Sequence, residues 1–194
     1  PEAHYWHTPG LKIAVPSTPA DAKGLLKSAI RDDNPVIFFE NRRLYRMKGP
    51  VSTDPELLTP FGQAVIRRPG TDLTIVAWSG MVPAVLEAAE VLAREGVSIE
   101  VLDPRTLVPF DWDAVAESVR RTSRLMIVHE APLTMGPGAE IAAFAANELF
   151  ELLDAPVKRL GGADAPIPQN MALEPFCYPQ VDEITAAARA LAAW

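Results

Sequence analysis

Residues 8–40, TPGLKIAVPSTPADAKGLLKSAIRDDNPVIFFE, decide the fold that the sequence predicts. Two apolar runs, at 11–15 and 36–39, are typical of short buried strands. A helix is expected between them, because Ser17 or Thr18 is placed to cap its first turn, Pro19 suits that turn and Pro35 blocks its continuation. A helix between two strands predicts a crossover connection, and the two strands are therefore expected to be parallel.

The end of this helix is rich in backbone oxygens. The last carbonyl groups of a helix have no partner inside it and lie at the negative end of its dipole. The carbonyl groups of Ala29, Ile30 and Asp32, with the side chain or carbonyl group of Asn34, are therefore placed to surround a small monovalent cation. An ordinary helix stop is the more common origin of an Asp-Asp-Asn-Pro sequence.

The rest of the chain divides into a linker and a second, larger domain. Residues 46–70 are rich in proline and glycine and have no long periodic run, which is typical of a linker, although 61–66 is a candidate short strand. From residue 71 onward, apolar runs alternate with amphipathic segments, which predicts an α/β fold whose mainly parallel sheet has helices on both faces. Strands are expected at 72–78, 97–102, 125–128 and 157–160, and helices at 82–94, 112–121, 138–153 and 181–193.

Composition excludes several classes of protein. The chain has 194 residues, of which 48% are hydrophobic, so it is long enough to bury a sizeable core. The net charge of −7 and the lack of a basic stripe argue against binding to nucleic acid. No apolar run is long enough to span a membrane. The single cysteine, Cys177, cannot form an internal disulfide, so a reducing, cytoplasmic compartment is expected.

A series of short motifs resembles one enzyme family. These motifs are His-x-Pro-Gly-Leu-Lys at 7–12, Pro-Ser at 16–17, Asp-Ala-Lys-Gly-Leu-Leu at 21–26, Ala-Ile-Arg-Asp-x-Asn-Pro at 29–35, Asp-Pro-Arg-Thr-Leu at 103–107, His-Glu-Ala-Pro at 129–132, Gly-Ala-Glu-Ile at 138–141 and Leu-Asp-Ala-Pro at 153–156. On these motifs the sequence resembles, over essentially its whole length, the beta subunit of the thiamine diphosphate-dependent 2-oxo acid dehydrogenases, in their decarboxylase component. Residues 38–40, 44–46 and 129–134 favour the branched-chain enzyme over the pyruvate enzyme.

The resemblance implies a domain organisation and a cofactor. Residues 1–45 are expected to be the end of a transketolase-like pyrimidine-binding domain, 46–70 a linker, and 71–194 a transketolase C-terminal-like domain. Thiamine diphosphate with magnesium is expected between an alpha and a beta subunit, and potassium is expected at residues 29–34. Because the chain opens at Pro1 inside a motif, we expect it to be the C-terminal portion of such a subunit. The residues that activate the cofactor are then expected upstream, with no catalytic or cofactor-binding residue in this chain, which alone should be inactive.

The resemblance also implies partners. These are an alpha subunit, a second beta subunit, the lipoyl acyltransferase core and the N-terminal half of the same subunit. Asp154 is expected to face the acyltransferase, and His129 and Glu130 are expected to be interface or loop-ordering residues. The glycine-containing loop at 135–138 lacks the spacing of phosphate-binding loops and is interpreted as a tight strand-to-helix turn.

Two alternatives remain open from the sequence. The first alternative is another transketolase-like enzyme. Acetoin dehydrogenase beta subunits share nearly all of these motifs, whereas deoxyxylulose-phosphate synthase differs around residues 29–34 and 129–132. The second alternative is a non-catalytic domain used only for assembly. Binding of the cofactor by this chain together with an alpha subunit would separate an enzyme subunit from an assembly domain.

Overall fold

The computed structural model describes residues 1–170 and 172–194 and contains two sheets and six α-helices within them. The strands are β1 (Lys12–Ala14), β2 (Val36–Phe38), β3 (Val65–Arg68), β4 (Leu73–Ala77), β5 (Ile99–Asp103), β6 (Thr106–Val108), β7 (Leu125–Pro132) and β8 (Lys158–Gly162). The helices are α1 (Glu2–Trp6), α2 (Pro19–Ile30), α3 (Met81–Arg94), α4 (Trp112–Thr122), α5 (Pro137–Glu148) and α6 (Val181–Ala192). Short 3-10 turns lie at Arg42–Leu44, Phe150–Leu152 and Glu174–Cys177. Among the residues described, no helix combines the length and apolar character needed to cross a bilayer.

The first sheet has the order β2-β1-β6 and contains the predicted crossover. β1 and β2 are parallel, with Ile13 opposite Ile37, and α2 connects them. Thr18 caps α2, because its hydroxyl oxygen accepts a hydrogen bond of 3.2 Å from the Asp21 backbone N–H. The predicted crossover, parallel pairing and cap are therefore confirmed.

The second sheet has the order β3-β5-β4-β7-β8. β5, β4, β7 and β8 are mutually parallel, and β3 is added antiparallel at one edge. All five residues of β4 and of β5 are buried, as expected for strands that are covered on both faces. The mainly parallel sheet predicted from the sequence is confirmed.

Helices cover both faces of the second sheet. Because neighbouring residues of a strand point to opposite faces, Ile75 and Val76 contribute to different halves of the core. The half that contains Ile75 packs against α3 and α6, with Met81 and Ile184 among its members. The half that contains Val76 packs against α4 and α5 and also includes Ile13 of β1, so the first sheet shares this core.

One strand is shifted from its predicted position, and two features differ from the sequence prediction. The candidate strand at 61–66 corresponds to β3, which lies at Val65–Arg68 and pairs with β5. β6 comes from the larger domain but pairs antiparallel with β1, so it completes the first sheet rather than the second. The helix expected at 138–153 ends at Glu148 and continues as a separate 3-10 turn at Phe150–Leu152.

Candidate functional site

A buried ionic cluster joins the first sheet to the larger domain. The Asp103 carboxylate, at the end of β5, is fully buried and accepts a hydrogen bond from the Ser17 hydroxyl. Arg67 donates to the same carboxylate oxygen through Nε at 3.0 Å and Nη2 at 2.8 Å, and it also pairs with Asp21. Arg105 completes the cluster, with Nη1 3.2 Å from an Asp21 oxygen. Two arginines from the larger domain therefore hold the first turn of α2.

The two carboxylates of this cluster respond differently to their surroundings. Burial raises the pKa of Asp103, and the nearby Arg67 and the Ser17 hydroxyl offset that effect only in part. Burial also opposes the charge of Asp21, but the hydrogen bond from the Thr18 hydroxyl and the charge of Arg67 bring the pKa of Asp21 below its usual value. The positive charge of Arg67 therefore offsets the free-energy cost of burying the Asp21 and Asp103 carboxylates close to each other.

A second set of contacts lies at the point where the order of the larger sheet reverses. The chain leaves β4 toward β5 on one side, and β7 lies on the other side of β4. In open α/β sheets, the crevice outside the carboxyl ends of the strands at such a point is the usual ligand site. Here the residues that follow β4 and those at the end of β7 meet side chains from the first 45 residues of the chain.

Glu130 forms the polar part of this crevice. Asn41 Nδ2 lies 2.9 and 3.2 Å from the two carboxylate oxygens of Glu130, and Arg43 forms an ion pair with it. The Arg43 guanidinium group also lies 4.0 Å from the centre of the Tyr178 ring, at cation–π distance. A Cβ atom on Gly80 would lie 2.4 Å from a Glu130 oxygen, so only glycine allows the carboxylate to approach the start of α3. The crevice is therefore filled by a segment of this same chain.

His129 forms the buried floor of the crevice. Its side chain has no exposed surface and stacks on Trp78, with 5.4 Å between the ring centres. Nδ1 lies 2.9 Å from the Ala131 carbonyl oxygen and donates to it, and Nε2 has no hydrogen-bond partner among the residues described. Burial lowers the pKa of His129, although the hydrogen bond to Ala131 acts in the opposite direction. The imidazole is therefore held neutral.

The glycines of the 135–138 loop are explained by this histidine. A Cβ atom on Gly138 would lie 2.6 Å from His129 Nε2, and one on Gly136 would lie 2.9 Å from His129 Cε1. The loop is glycine-containing because the imidazole fills the space beneath it. This packing favours the predicted tight turn and leaves no cradle for a phosphate group.

The expected interface residues occupy different environments. His129 is internal, so its complete burial within this chain leaves it no surface to offer a partner, contrary to the interface role considered from the sequence. Glu130 is partly exposed and contacts Asn41 and Arg43, and its role in ordering a loop or at an interface stays a prediction. Asp154 is exposed, and its one hydrogen bond among the residues described is from its backbone N–H to the Ser123 carbonyl oxygen, at 2.8 Å. Asp154 as a partner contact stays a prediction.

The turn expected to bind potassium has a defined arrangement of polar groups. One Asp32 oxygen pairs with the Lys12 ammonium group, and the other accepts hydrogen bonds of 2.9 Å from both the backbone N–H and the side-chain amide of Asn34. The Lys12 hydrogen bond and those from Asn34 lower the pKa of Asp32 to about 2. The remaining candidate ligands are backbone carbonyl oxygens, including those of Ala29 and Ile30, and the Ala29 oxygen also accepts a hydrogen bond of 3.4 Å from the Asp32 backbone N–H. Potassium at this turn stays a prediction.

The described residues form no cluster of metal-ligating side chains. Across 1–170 and 172–194, no three His, Cys, Asp or Glu side chains are grouped so that they could hold a metal ion. Magnesium beside a diphosphate usually binds one or two carboxylates together with the phosphates. The expectation that no residue of this chain binds the cofactor therefore stays a prediction.

Sequence reasoning missed the partners Asn41, Arg43 and Arg67. Each is joined to an acid that lies 36 or more residues away along the chain. Only one signal pointed to them, namely that Glu130 and Asp103 both follow apolar strands and therefore lie at the carboxyl ends of a parallel sheet. Which side chains contact Glu130 and Asp103 depends on the tertiary fold and not on the neighbouring sequence.

Comparison with known protein families agrees with this organisation. Residues 62–184 match the transketolase C-terminal domain, and residues 1–48 match the transketolase pyrimidine-binding domain. The chain is also similar in structure to a split-gene transketolase described as an inactive beta4 tetramer, with a TM-score of 0.80 and 26% identity, covering 98% of this chain and 60% of that one. The order of the two domains is the order inferred from the motifs.

Individual relatives are similar over nearly the whole chain. The pyruvate dehydrogenase E1 component subunit beta-2 of Oryza sativa subsp. japonica is 47% identical over 96% of this chain and 50% of its own length. The 2-oxoisovalerate dehydrogenase subunit beta 2 of Arabidopsis thaliana is 43% identical over 97% of this chain and 52% of its own length. The bacterial pyruvate dehydrogenase subunit beta of Leifsonia xyli is 47% identical over 95% of this chain and 54% of its own length. The chain thus spans about half the length of these relatives, and it belongs to the transketolase C-terminal domain family, with residues that match the transketolase pyrimidine-binding domain ahead of that domain.

Proposed function

We propose that this chain forms part of the beta subunit of a thiamine diphosphate-dependent 2-oxo acid dehydrogenase, in the component that decarboxylates the 2-oxo acid. The observation that carries the proposal is the match of both domains, in order, to beta subunits of pyruvate and 2-oxoisovalerate dehydrogenases over 95–97% of the chain. These relatives favour the dehydrogenase over acetoin dehydrogenase and over a non-catalytic assembly domain. The substrate class is a 2-oxo acid, either pyruvate or a branched-chain acid.

Within such a subunit, the residues described here would position the pyrimidine-binding domain. The Arg67–Asp103–Ser17 contacts fix the start of α2, and the Glu130–Arg43 pair fixes the segment that follows β2. Both contacts support the carboxyl ends of β1 and β2, where ligands approach a parallel sheet. Thiamine diphosphate and magnesium would be held mainly by the N-terminal half of the subunit and by the alpha subunit.

The proposal includes partners and an ion. An alpha subunit and a second beta subunit would complete the enzyme, and the N-terminal half of a beta subunit would cover the exposed Leu26 and Ile30 of α2. The acyltransferase core would contact the exposed Asp154. Potassium would bind the carbonyl oxygens at the end of α2, and the helix-end geometry supports that assignment.

A chimaeric subunit tests the proposal. Residues 1–194 would replace the matching portion of the Leifsonia xyli beta subunit, which would be produced with its alpha subunit and supplied with thiamine diphosphate and magnesium. We expect decarboxylation of pyruvate or of a branched-chain 2-oxo acid by the chimaera, and no turnover above a buffer blank by the 194-residue chain alone. A folded, assembled chimaera that releases no carbon dioxide from either acid would contradict the proposal.

A further inference from the structure

A cavity of about 220 Å³ opens where β1 and β2 end. Its walls are mainly apolar and come from both sides of the crossover and from the turn after β2; they include Pro16, Pro19, Phe38, Leu44 and Met47. An apolar cavity of about 150 Å³ is already large enough to bind benzene. The cavity can therefore take one large apolar side chain.

One wall of the cavity belongs to a strongly basic segment. Residues 42–48, RRLYRMK, are called the basic segment here; they carry four positive charges and no negative one in a chain whose net charge is −7. Arg42, Arg46 and Lys48 are exposed, and in the part of the chain that the structure describes none of the three forms an ion pair. Three cations that form no ion pair among the described residues therefore belong to the same short segment as Leu44, Tyr45 and Met47, which line the cavity.

The basic segment is firmly attached to the body of the protein. The Asn41 side-chain oxygen accepts a hydrogen bond of 3.1 Å from the Arg43 backbone N–H and so caps the turn. Arg43 itself is used as an anchor, because it pairs with Glu130 and stacks on Tyr178. A surface that is ordered before binding loses less conformational entropy when a partner arrives.

We propose that the cavity and the basic segment together bind an acidic segment of a partner polypeptide. One large apolar side chain of that segment enters the cavity, and its flanking carboxylates lie near Arg42, Arg46 and Lys48. This inference concerns binding alone and does not rest on the proposed function.

The wall of the cavity determines which part of the partner enters it. The Glu40 carboxylate is part of the lining and accepts a hydrogen bond of 2.8 Å from the Tyr45 hydroxyl. A negative charge at this position repels a phosphate or a carboxylate from the cavity itself, so the apolar side chain enters and the charged groups of the partner stay beside the basic segment. The Glu40 oxygens can also accept a hydrogen bond from a peptide N–H, which favours a peptide over a phosphate chain.

A labelled octapeptide of glutamates with one central leucine provides the probe. Its affinity for the 194-residue chain would be measured by fluorescence anisotropy at salt concentrations of about 50 and about 300 mM, since exposed charges are screened at the higher value. We expect the double variant Arg42→Ala/Arg46→Ala to weaken binding about three- to tenfold, the range for two exposed charge pairs. The double variant Arg94→Ala/Arg120→Ala removes two other exposed arginines and the same net charge, and should bind nearly as the unmodified chain does.

The cavity is tested separately. Replacing the central leucine of the peptide with serine should weaken binding to the unmodified chain. Ala22 lines the cavity, so Ala22→Met fills it and should remove the advantage of leucine over serine. Should that variant fail to fold, the comparison of the leucine and serine peptides on the unmodified chain still shows whether binding depends on an apolar side chain.

Three results would overturn the inference. The first is an equal loss of affinity in the two double arginine variants, and the second is equal binding of the leucine and serine peptides. The third is tighter binding of a single-stranded thymidine octanucleotide than of the leucine peptide, which would identify the surface as a nucleic-acid site.

Discussion

A neutral histidine in the interior links this protein's stability to pH. His129 Nε2 has no partner among the described residues and lies at the start of α5, where the helix dipole disfavours a positive charge. The charge of Glu2 favours protonation, whereas that of Arg159 opposes it, and both effects are smaller than that of burial. The imidazole therefore has a lower pKa in the folded chain than in the unfolded chain.

We expect the free energy of unfolding to fall as the solution is acidified below the ordinary pKa of histidine. In that range the unfolded chain binds more protons than the folded chain, so stability is present at neutral pH and is lost as the pH drops toward the folded pKa of His129. The loss approaches about 1.4 kcal/mol per pH unit for one proton. Urea unfolding between pH 7 and pH 5 measures it.

Two exposed histidines serve as controls for this effect. The variants His4→Gln and His7→Gln should keep the same pH dependence, because neither side chain is buried. Titration of the His129 ring by NMR in the folded chain at or above the ordinary histidine pKa would show that the explanation is wrong.

A second expectation at the scale of the residue concerns Arg67. The variant Arg67→Met leaves Asp21 and Asp103 in the interior without their main cation, and breaking a buried pair in this way costs about 3–5 kcal/mol. Arg94→Met, at an exposed helix end, should change stability by less than about 0.5 kcal/mol. Urea unfolding of both variants gives the comparison, and equal stability of the two would refute the role of Arg67.

The scale of the element is best illustrated by the turn that ends α2. Asp32 is fixed there by Lys12 and Asn34, and the side chain is thereby committed to contacts within the chain. The neighbouring Asp33 is exposed and makes none of these contacts. The two acids form a matched pair for testing whether this turn binds a cation.

Potassium should stabilise the chain relative to lithium at equal ionic strength. A cation that binds only the folded state adds about 1.4 kcal/mol when its concentration is ten times its dissociation constant. Melting temperatures in the two salts measure the effect, which should vanish in Asp32→Ala, because this change removes the group that orders the turn, and persist in Asp33→Ala. Identical melting temperatures of the unmodified chain in both salts would exclude the site.

Sequence patterns predicted elements whose signals are local and missed those whose partners are distant. Ser17 or Thr18 is predicted as the cap of α2, and Thr18 is the residue that caps it, because a cap depends on residues three or four positions away. β6 was not predicted, since its three residues become a strand only by pairing with β1, about 90 positions earlier in the chain. The same reason applies to Glu130, whose arginine partner lies 87 positions away.

At the scale of the whole molecule, the two domains differ in the burial that protects them. β1 and β2 have three residues each, β2 is an edge strand, and its residues are only partly buried, whereas β4 is central and completely buried. Short edge strands in small sheets open easily. The first 45 residues are therefore expected to be the less stable part of the chain.

Hydrogen exchange measures this difference directly. We expect the Ile37 amide of β2 to exchange well before the Ile75 amide of β4, because opening of the first sheet does not require the second sheet to unfold. The measurement should be made on a chain shown to be monomeric, since a second copy that covers β2 would add protection. Equal protection of the two amides in such a monomer would show that the chain opens as a single unit.

The pairing of β6 with β1 is expected to make the covalent connection between the two domains dispensable. Residues 49–51 are exposed, while β6, Arg67 and Glu130 all bind residues that precede them. A protease site inserted between Pro50 and Val51 should therefore give two fragments that still elute together on size-exclusion chromatography in native buffer and separate only in denaturant. Elution as two separate species would show that the peptide link is required. If the fragments stay together, the protein can be made as two independently translated polypeptides that assemble by complementation.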